Sequence, residues 1–161
     1  MSQLDLLQRR INDQIPISRT LGVRLEFWDG QTLIVSAPLL PNRNHQGTGF
    51  GGSVYSVAVT GAWGLTELVL SDLGLDGVVV IQKGSIDYLL PVDTDFYVIC
   101  RLPGGEVSDR FRKSLARYGK GRLDLVAEVH CGHPHRRPAS DAVAVLEARL
   151  VVQDARSKLF G

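Results

Sequence analysis

Between Ser53 and Ser71 the chain carries a single charged side chain, Glu67. A stretch this apolar has to be buried, and its length decides how. Its β-branched residues favour strand locally, but a strand of that span is rare, so Gly52–Ser71 reads as a helix. A helix with almost no charge belongs at the centre of a fold rather than on its surface. Ala58, Gly61, Ala62 and Gly64 leave room for a sheet to approach it closely. The same run raises a transmembrane question. No aromatic belt or basic flank brackets it and amphipathic strands follow, so a core helix is expected.

The residues leading into this helix are Asn44-His45-Gln46-Gly47-Thr48-Gly49-Phe50-Gly51-Gly52. Glycine lets a backbone approach a ligand closely. A helix starting near Gly51 has first N–H groups that lack internal partners and carry partial positive charge. Such an end can polarise a carbonyl or hold an oxyanion. The same residues also fit a tight loop packed against a sheet.

The rest of the chain reads mostly as sheet. Ser2–Asn12 predicts an amphipathic helix, with Leu4, Leu7 and Ile11 on one face and Ser2 with Asp5 in a capping pattern. Pro16 prevents its extension. Val23, Leu25 and Phe27 alternate with Arg24, Glu26 and Trp28. After Asp29-Gly30, Leu33, Val35 and Ala37 alternate with polar neighbours, which predicts a hairpin. The apolar run Val78–Ile81 predicts a strand buried on both faces, continuing through Ser85-Ile86-Asp87-Tyr88 to Pro91. Asp95–Arg101 is another strand. A second helix follows, with Val107, Phe111, Leu115 and Tyr118 in one stripe and Gly119 at its end. Leu123, Leu125, Ala127 and Val129 mark a further strand, Gly132–Pro138 a turn, and Ala142–Val152 the last strand. Nothing divides the chain, so residues 1–161 read as one domain, with 1–14 as an N-terminal helix.

A net charge of +1 over 161 residues gives no global electrostatic basis for binding nucleic acid or membrane. Two cysteines, Cys100 and Cys131, make no disulfide framework. The start Met1-Ser2-Gln3-Leu4-Asp5 lacks the regions of a signal peptide, and a cytoplasmic location is expected.

An antiparallel sheet wrapped around one long central helix is the α+β hot-dog fold. Ile86-Asp87-Tyr88-Leu89-Leu90-Pro91-Val92 resembles the strand signature of hot-dog acyl-CoA thioesterases. Asn44-x-x-Gly47-x-x-Phe50-Gly51-Gly52 resembles their pattern of Asn, Gly and His-Gly-Gly at the helix start. From about Ile15 to Val152 the sequence is most similar to thioesterases of the YiiD C-terminal-domain type. Those carry Ala-Pro-Leu, Asn and His, Gly-Thr-x-Phe-Gly-Gly-Ser and Gly-Trp-Gly. Here the matching residues are Ala37-Pro38-Leu39, Asn42, Asn44-His45, Gly47-Thr48-Gly49-Phe50-Gly51-Gly52-Ser53 and, slightly offset, Gly61-Ala62-Trp63-Gly64.

The resemblance implies hydrolysis of a thioester of coenzyme A or acyl carrier protein. It implies no cofactor beyond the coenzyme A of the substrate, a pantetheine tunnel at a subunit interface, and a homodimer or dimer of dimers. Gly51 falls where the family's backbone N–H polarises the thioester carbonyl. Asn44 falls where a side-chain amide binds the carbonyl or the attacking water. Two positions depart from the pattern: Phe50 replaces a frequent histidine, and Val59, beside Thr60, occupies the place of the helix carboxylate. A non-catalytic acyl-thioester binding module and a hot-dog enoyl hydratase or dehydratase are the competing readings.

Individual candidates follow from residue type. Histidine is the residue type suited to proton transfer near neutral pH, so His45 fits a general base, and equally a loop histidine bonded to backbone. Asn44 fits a water-positioning amide or a turn former. Thr48 and Ser53 bond substrate or cap the helix, a cap being expected of at least one. Phe50 and Gly52 complete the substrate-facing set at the helix start. Asp87 fits a replacement carboxylate near a partner subunit's helix, or a solvated side chain. Thr60 is a further possible helper. Arg110, Arg112, Lys113, Arg117, Lys120 and Arg122 form a cluster without intervening acids. It suits the phosphates of coenzyme A, with Arg112 and Lys113 assigned to substrate, or a solvated helix face. Glu67 lies roughly 24 Å along the helix from Gly51, beyond that site. Cys131, His133 and His135 superficially suggest metal, but their spacing and Pro134 point to a plain turn, and no metal is expected.

Overall fold

The computed structural model describes residues 1–135 and 141–155. The elements, in order, are α1 (Gln3–Gln14), α2 (Ile17–Leu21), β1 (Arg24–Trp28), β2 (Thr32–Ala37), α3 (Gly51–Asp72), β3 (Gly77–Tyr88), β4 (Phe96–Arg101), α4 (Gly105–Tyr118), β5 (Lys120–Cys131) and β6 (Ala144–Asp154). A 3₁₀ turn, Leu40–Asn42, follows β2. The strands form one antiparallel sheet in the order β1-β2-β4-β5-β6-β3.

The apolar helix is α3, and the sheet wraps it as expected. Val57, Ala58, Ala62 and Leu65 are fully buried against Leu33, Val35, Val98, Leu123 and Leu146. A Cβ on Gly61 would stand 3.1 Å from the Cys100 sulfur, and one on Gly64 3.2 Å from Leu33. Both glycines thus set how closely helix and sheet approach. By length and composition α3 could cross a bilayer, but 72% of its most apolar window is buried inside the fold. The N-terminal helix carries the expected capping box between Ser2 and Asp5. Its Leu7 and Ile11 are buried.

Several expectations need correction. The short helix α2 was not foreseen. In β1 a bulge between Leu25 and Phe27 shifts the register, so Trp28 pairs with inward-facing Leu33 and Phe27 turns outward. One extra residue reverses every face beyond it. On α4 the buried residues are Ser108, Phe111 and Leu115, whereas Val107 and Tyr118 are exposed. Val78–Ile81 is not buried on both faces within one chain. Only Val79 is buried there, because β3 is the edge strand. The final part of the turn assigned to Gly132–Pro138, residues 136–138, lies outside the described residues.

The two sheet edges are treated differently. At β1, the Gln8 side chain from α1 accepts from the Leu25 N–H at 2.7 Å and donates to the Val23 carbonyl at 3.1 Å. Along the β3 edge, residues 80–85 are all exposed among the described residues.

Glu67 sits on the far half of α3, its side chain closed from solvent and held by Arg10 of α1 at 2.6 Å. Arg10 also lies over the Trp63 ring. Burial raises the Glu67 carboxyl above its usual range, and Arg10 opposes this. A raised value means that the folded chain holds the proton more tightly than the unfolded one. Glu67 therefore favours folding most below the ordinary carboxylate pKa and loses that contribution as pH rises through its raised value. Glu67→Gln keeps size and an acceptor for Arg10. It should flatten the acid side of the stability–pH profile and leave the melting temperature at neutral pH unchanged or higher. A clear drop at neutral pH would mean that the ion pair outweighs the burial cost.

Candidate active site

The loop before α3 is built by its own hydrogen bonds. Asn44 Oδ1 accepts from the N–H groups of Gln46 and Thr48, and its Nδ2 donates to Thr48 Oγ1 at 2.9 Å. The Asn44 N–H donates to the Thr48 carbonyl, and Gly47 turns the chain at φ 79°. That φ suits glycine because it has no Cβ to clash. Asn42 anchors the base of the loop: its Nδ2 donates to the Leu21 and Pro38 carbonyls, and its carbonyl accepts from Phe50. The Gly49 N–H donates to the Val92 carbonyl.

These contacts deliver the chain into α3 with Phe50 as the N-cap residue and no side-chain cap. Among the described residues, no hydrogen bond uses the N–H of Gly51, Gly52 or Ser53. Neither Thr48 nor Ser53 caps the helix, contrary to expectation. Three donors at the positive end of a 22-residue helix are thus open. Beside them runs a groove of about 390 Å³ lined by Thr48, Gly49, Gly51, Val54, Tyr88, Leu89, Leu90, Pro91 and Val92. Its walls are mostly apolar.

The loop and the helix start therefore bring Thr48, Phe50, Gly51, Gly52 and Ser53 together. Asn44 lies one bond behind Thr48, with one Nδ2 hydrogen still unused. His45 is exposed at the loop tip and hydrogen-bonds to no described residue. The other candidates lie elsewhere. Asp87 is exposed, and strand alternation turns it to the face opposite Tyr88. The Thr60 hydroxyl donates to the Ser56 carbonyl. Arg112 and Lys113 are exposed on α4, but the nearby cavity of about 320 Å³ is lined by Arg110, Arg122 and Arg149 instead. Asp124 also lines it, paired with Arg149 at 2.8 Å, so the basic cluster does have an acid beside it. His133 faces Asp95 and His135 faces Glu26.

Sequence reasoning missed Tyr88. Its hydroxyl donates to the Gly51 carbonyl at 2.7 Å, and a Cβ on Gly51 would stand only 3.2 Å from that hydroxyl oxygen. The alternation Ile86-Asp87-Tyr88 was the available signal, because it places Tyr88 and Asp87 on opposite faces. Val59 belongs to a half-buried stripe with Tyr55 and Trp63 that faces β3. Trp63 Nε1 donates to the Val79 carbonyl, and Tyr55 packs over Gly84.

Residues 4–155 match the family described as "Putative thioesterase (yiiD_Cterm)". The chain belongs to this family. Among solved structures, it is similar to a protein of unknown function from Chlorobaculum tepidum TLS, with 30% identity, a TM-score of 0.85, and coverage of 92% of this chain and 93% of that one. It is also similar to a "putative thioesterase" from Shewanella oneidensis, with 31% identity, a TM-score of 0.78, and coverage of 92% and 95%. A thioesterase from Haemophilus influenzae shares the fold alone, at 13% identity and a TM-score of 0.74 over 99% of this chain and 96% of that one. The sheet wrapped around α3 is the hot-dog fold shared by this thioesterase family.

Proposed function

We propose that the protein hydrolyses an acyl thioester of coenzyme A or acyl carrier protein. The observation that carries this reading is the uncapped, glycine-built start of a buried helix opening on an apolar groove. An acyl chain fits the walls formed by Val54 and Leu89–Val92, with its carbonyl oxygen toward the Gly51 and Gly52 N–H groups. Water attacks the carbonyl carbon, and the C=O electron pair moves onto the oxygen, where the helix-start donors hold it. Collapse expels the thiolate, giving a carboxylate and a thiol once the proton from water is passed on. His45 is the base in this scheme, and the unused Asn44 Nδ2 hydrogen orients the water or the carbonyl.

The covered β1 edge and the open, apolar β3 edge support a homodimer joined through β3. Register then bears on the phosphates. Within one chain Gly121, against which α4 packs, lies eight residues along β5 from Val129, which shares a row with Tyr88, or about 26 Å. Antiparallel pairing of two β3 strands sets the partner's Gly77 end beside this chain's Tyr88 end. The basic residues around α4 would then serve the partner's groove. Charge reversal at Arg110 and Arg122 together should weaken coenzyme A binding, more so at low salt. Unchanged affinity would remove the cluster from the site.

Thiol release measured across acyl-CoA chain lengths tests the hydrolase reading. Val59 favours the second reading, a binding module, since among the described residues no carboxylate lines the groove. Tight binding without thiol release would establish that second reading. The same lack of a carboxylate counts against a hydratase, whose chemistry needs one opposite a histidine.

A further inference from the structure

We infer that Tyr88 is a positioning residue that orients and polarises the Gly51–Gly52 peptide, the unit carrying one of the open donors at the start of α3. This rests on the reading of that helix start as the place where a thioester carbonyl binds.

The Gly51 carbonyl and the Gly52 N–H belong to one planar peptide and point in opposite directions. Whatever holds the carbonyl therefore aims the N–H. The Tyr88 hydroxyl holds it at 2.7 Å, reaching from the end of β3 across 37 positions of sequence. Helical geometry already sets this peptide, whose carbonyl also accepts from the N–H one turn on, so Tyr88 adds a second donor to the same oxygen. The bond does more than aim. A donor on the carbonyl oxygen draws electron density from the amide and strengthens its N–H as a donor, the cooperative effect seen in hydrogen-bond chains. The phenol is suited to stay a donor, since burial, with Tyr55 nearby, pushes its pKa above the usual tyrosine value. Geometry also explains Gly51 itself: a Cβ there would lie 3.2 Å from the Tyr88 hydroxyl oxygen and 3.3 Å from the ring carbon bearing it. Tyr88 lines the groove as well, so one side chain is both a wall of the site and a support for its donor.

The test uses Tyr88→Phe, which keeps the ring over Gly51 and removes only the hydroxyl. The probe is hexanoyl carba(dethia)-coenzyme A, in which a methylene replaces the thioester sulfur, labelled with carbon-13 at the carbonyl. In the wild-type protein the bound carbonyl resonance should move downfield, and in Tyr88→Phe that displacement should shrink. On a hydrolysable thioester, kcat should fall about tenfold with KM within about twofold, short of the ~100- to 1,000-fold expected for losing the donor itself. A merely structural tyrosine would leave the carbonyl resonance where it was, so equal displacement in the two proteins overturns the proposal. Downfield displacement that depends on Tyr88, without any hydrolysis by the wild type, supports the proposal and sinks the hydrolase reading. No displacement in the wild type sinks both.

Discussion

Asn44→Ala should lower kcat by ~100- to 1,000-fold, the usual consequence of losing a donor aimed at developing charge, and should change KM far less. The structure gives this side chain two tasks that alanine cannot separate. Its Oδ1 accepts two backbone N–H groups and so closes the Asn44–Thr48 turn. Its Nδ2 reaches Thr48 Oγ1 with one hydrogen and leaves the other unused. Asn44→Asp separates them. The carboxylate keeps both accepting bonds, and the Thr48 hydroxyl can donate to it, so the turn survives while the amide donor is gone. If the donor matters, Asp and Ala variants lose kcat together. If only the loop matters, Asp recovers most of what Ala loses. Should both retain near-wild-type turnover on a good substrate, Asn44 has no part in the chemistry. His45→Ala should lower kcat with little change in KM if His45 is the base; near-wild-type turnover would move the base elsewhere.

Much of the fold could be read from local pattern because single residues settled it. One charge between Ser53 and Ser71 forced a central helix, and Asp29-Gly30 between two alternating runs forced a hairpin. The errors arose where a distant partner decides the outcome. The bulge after Leu25 depends on pairing with β2, so alternation in β1 alone misplaced Phe27 and Trp28. The buried face of α4 is set by packing on Gly121, which Phe111 and Leu115 cover. That choice turned on Ser108 rather than Val107, against hydrophobicity. The motif also located the start of α3, where Phe50, Gly51 and Gly52 stand with Thr48 just before them. It could not reveal that the tyrosine of a second motif, far along the chain, holds Gly51, or that Arg110 and Arg122 rather than Arg112 and Lys113 share a cavity. Such contacts are properties of register and helical phase, which no short window contains.

Val78–Ile81 offers the other large effect. A run of four apolar residues promised burial on both faces, yet Val78, Val80 and Ile81 stand 48%, 52% and 37% exposed in the single chain. A partner strand is the simplest cover for such an edge. Ile81→Asp should therefore leave each chain folded, because Ile81 already meets water, and should split the dimer proposed above. In a two-fold interface every substitution occurs twice. Burying an unpaired charge costs several kcal/mol per copy. A total penalty of about 6 kcal/mol would carry a nanomolar dimer to tens of micromolar. If the proposed pairing brings the basic residues around α4 to the partner's groove, turnover should fall with it. Sedimentation and thiol release, measured on the same samples across concentration, decide the matter. A variant that stays dimeric places the interface elsewhere, and a monomer with full turnover means that one chain holds the whole site.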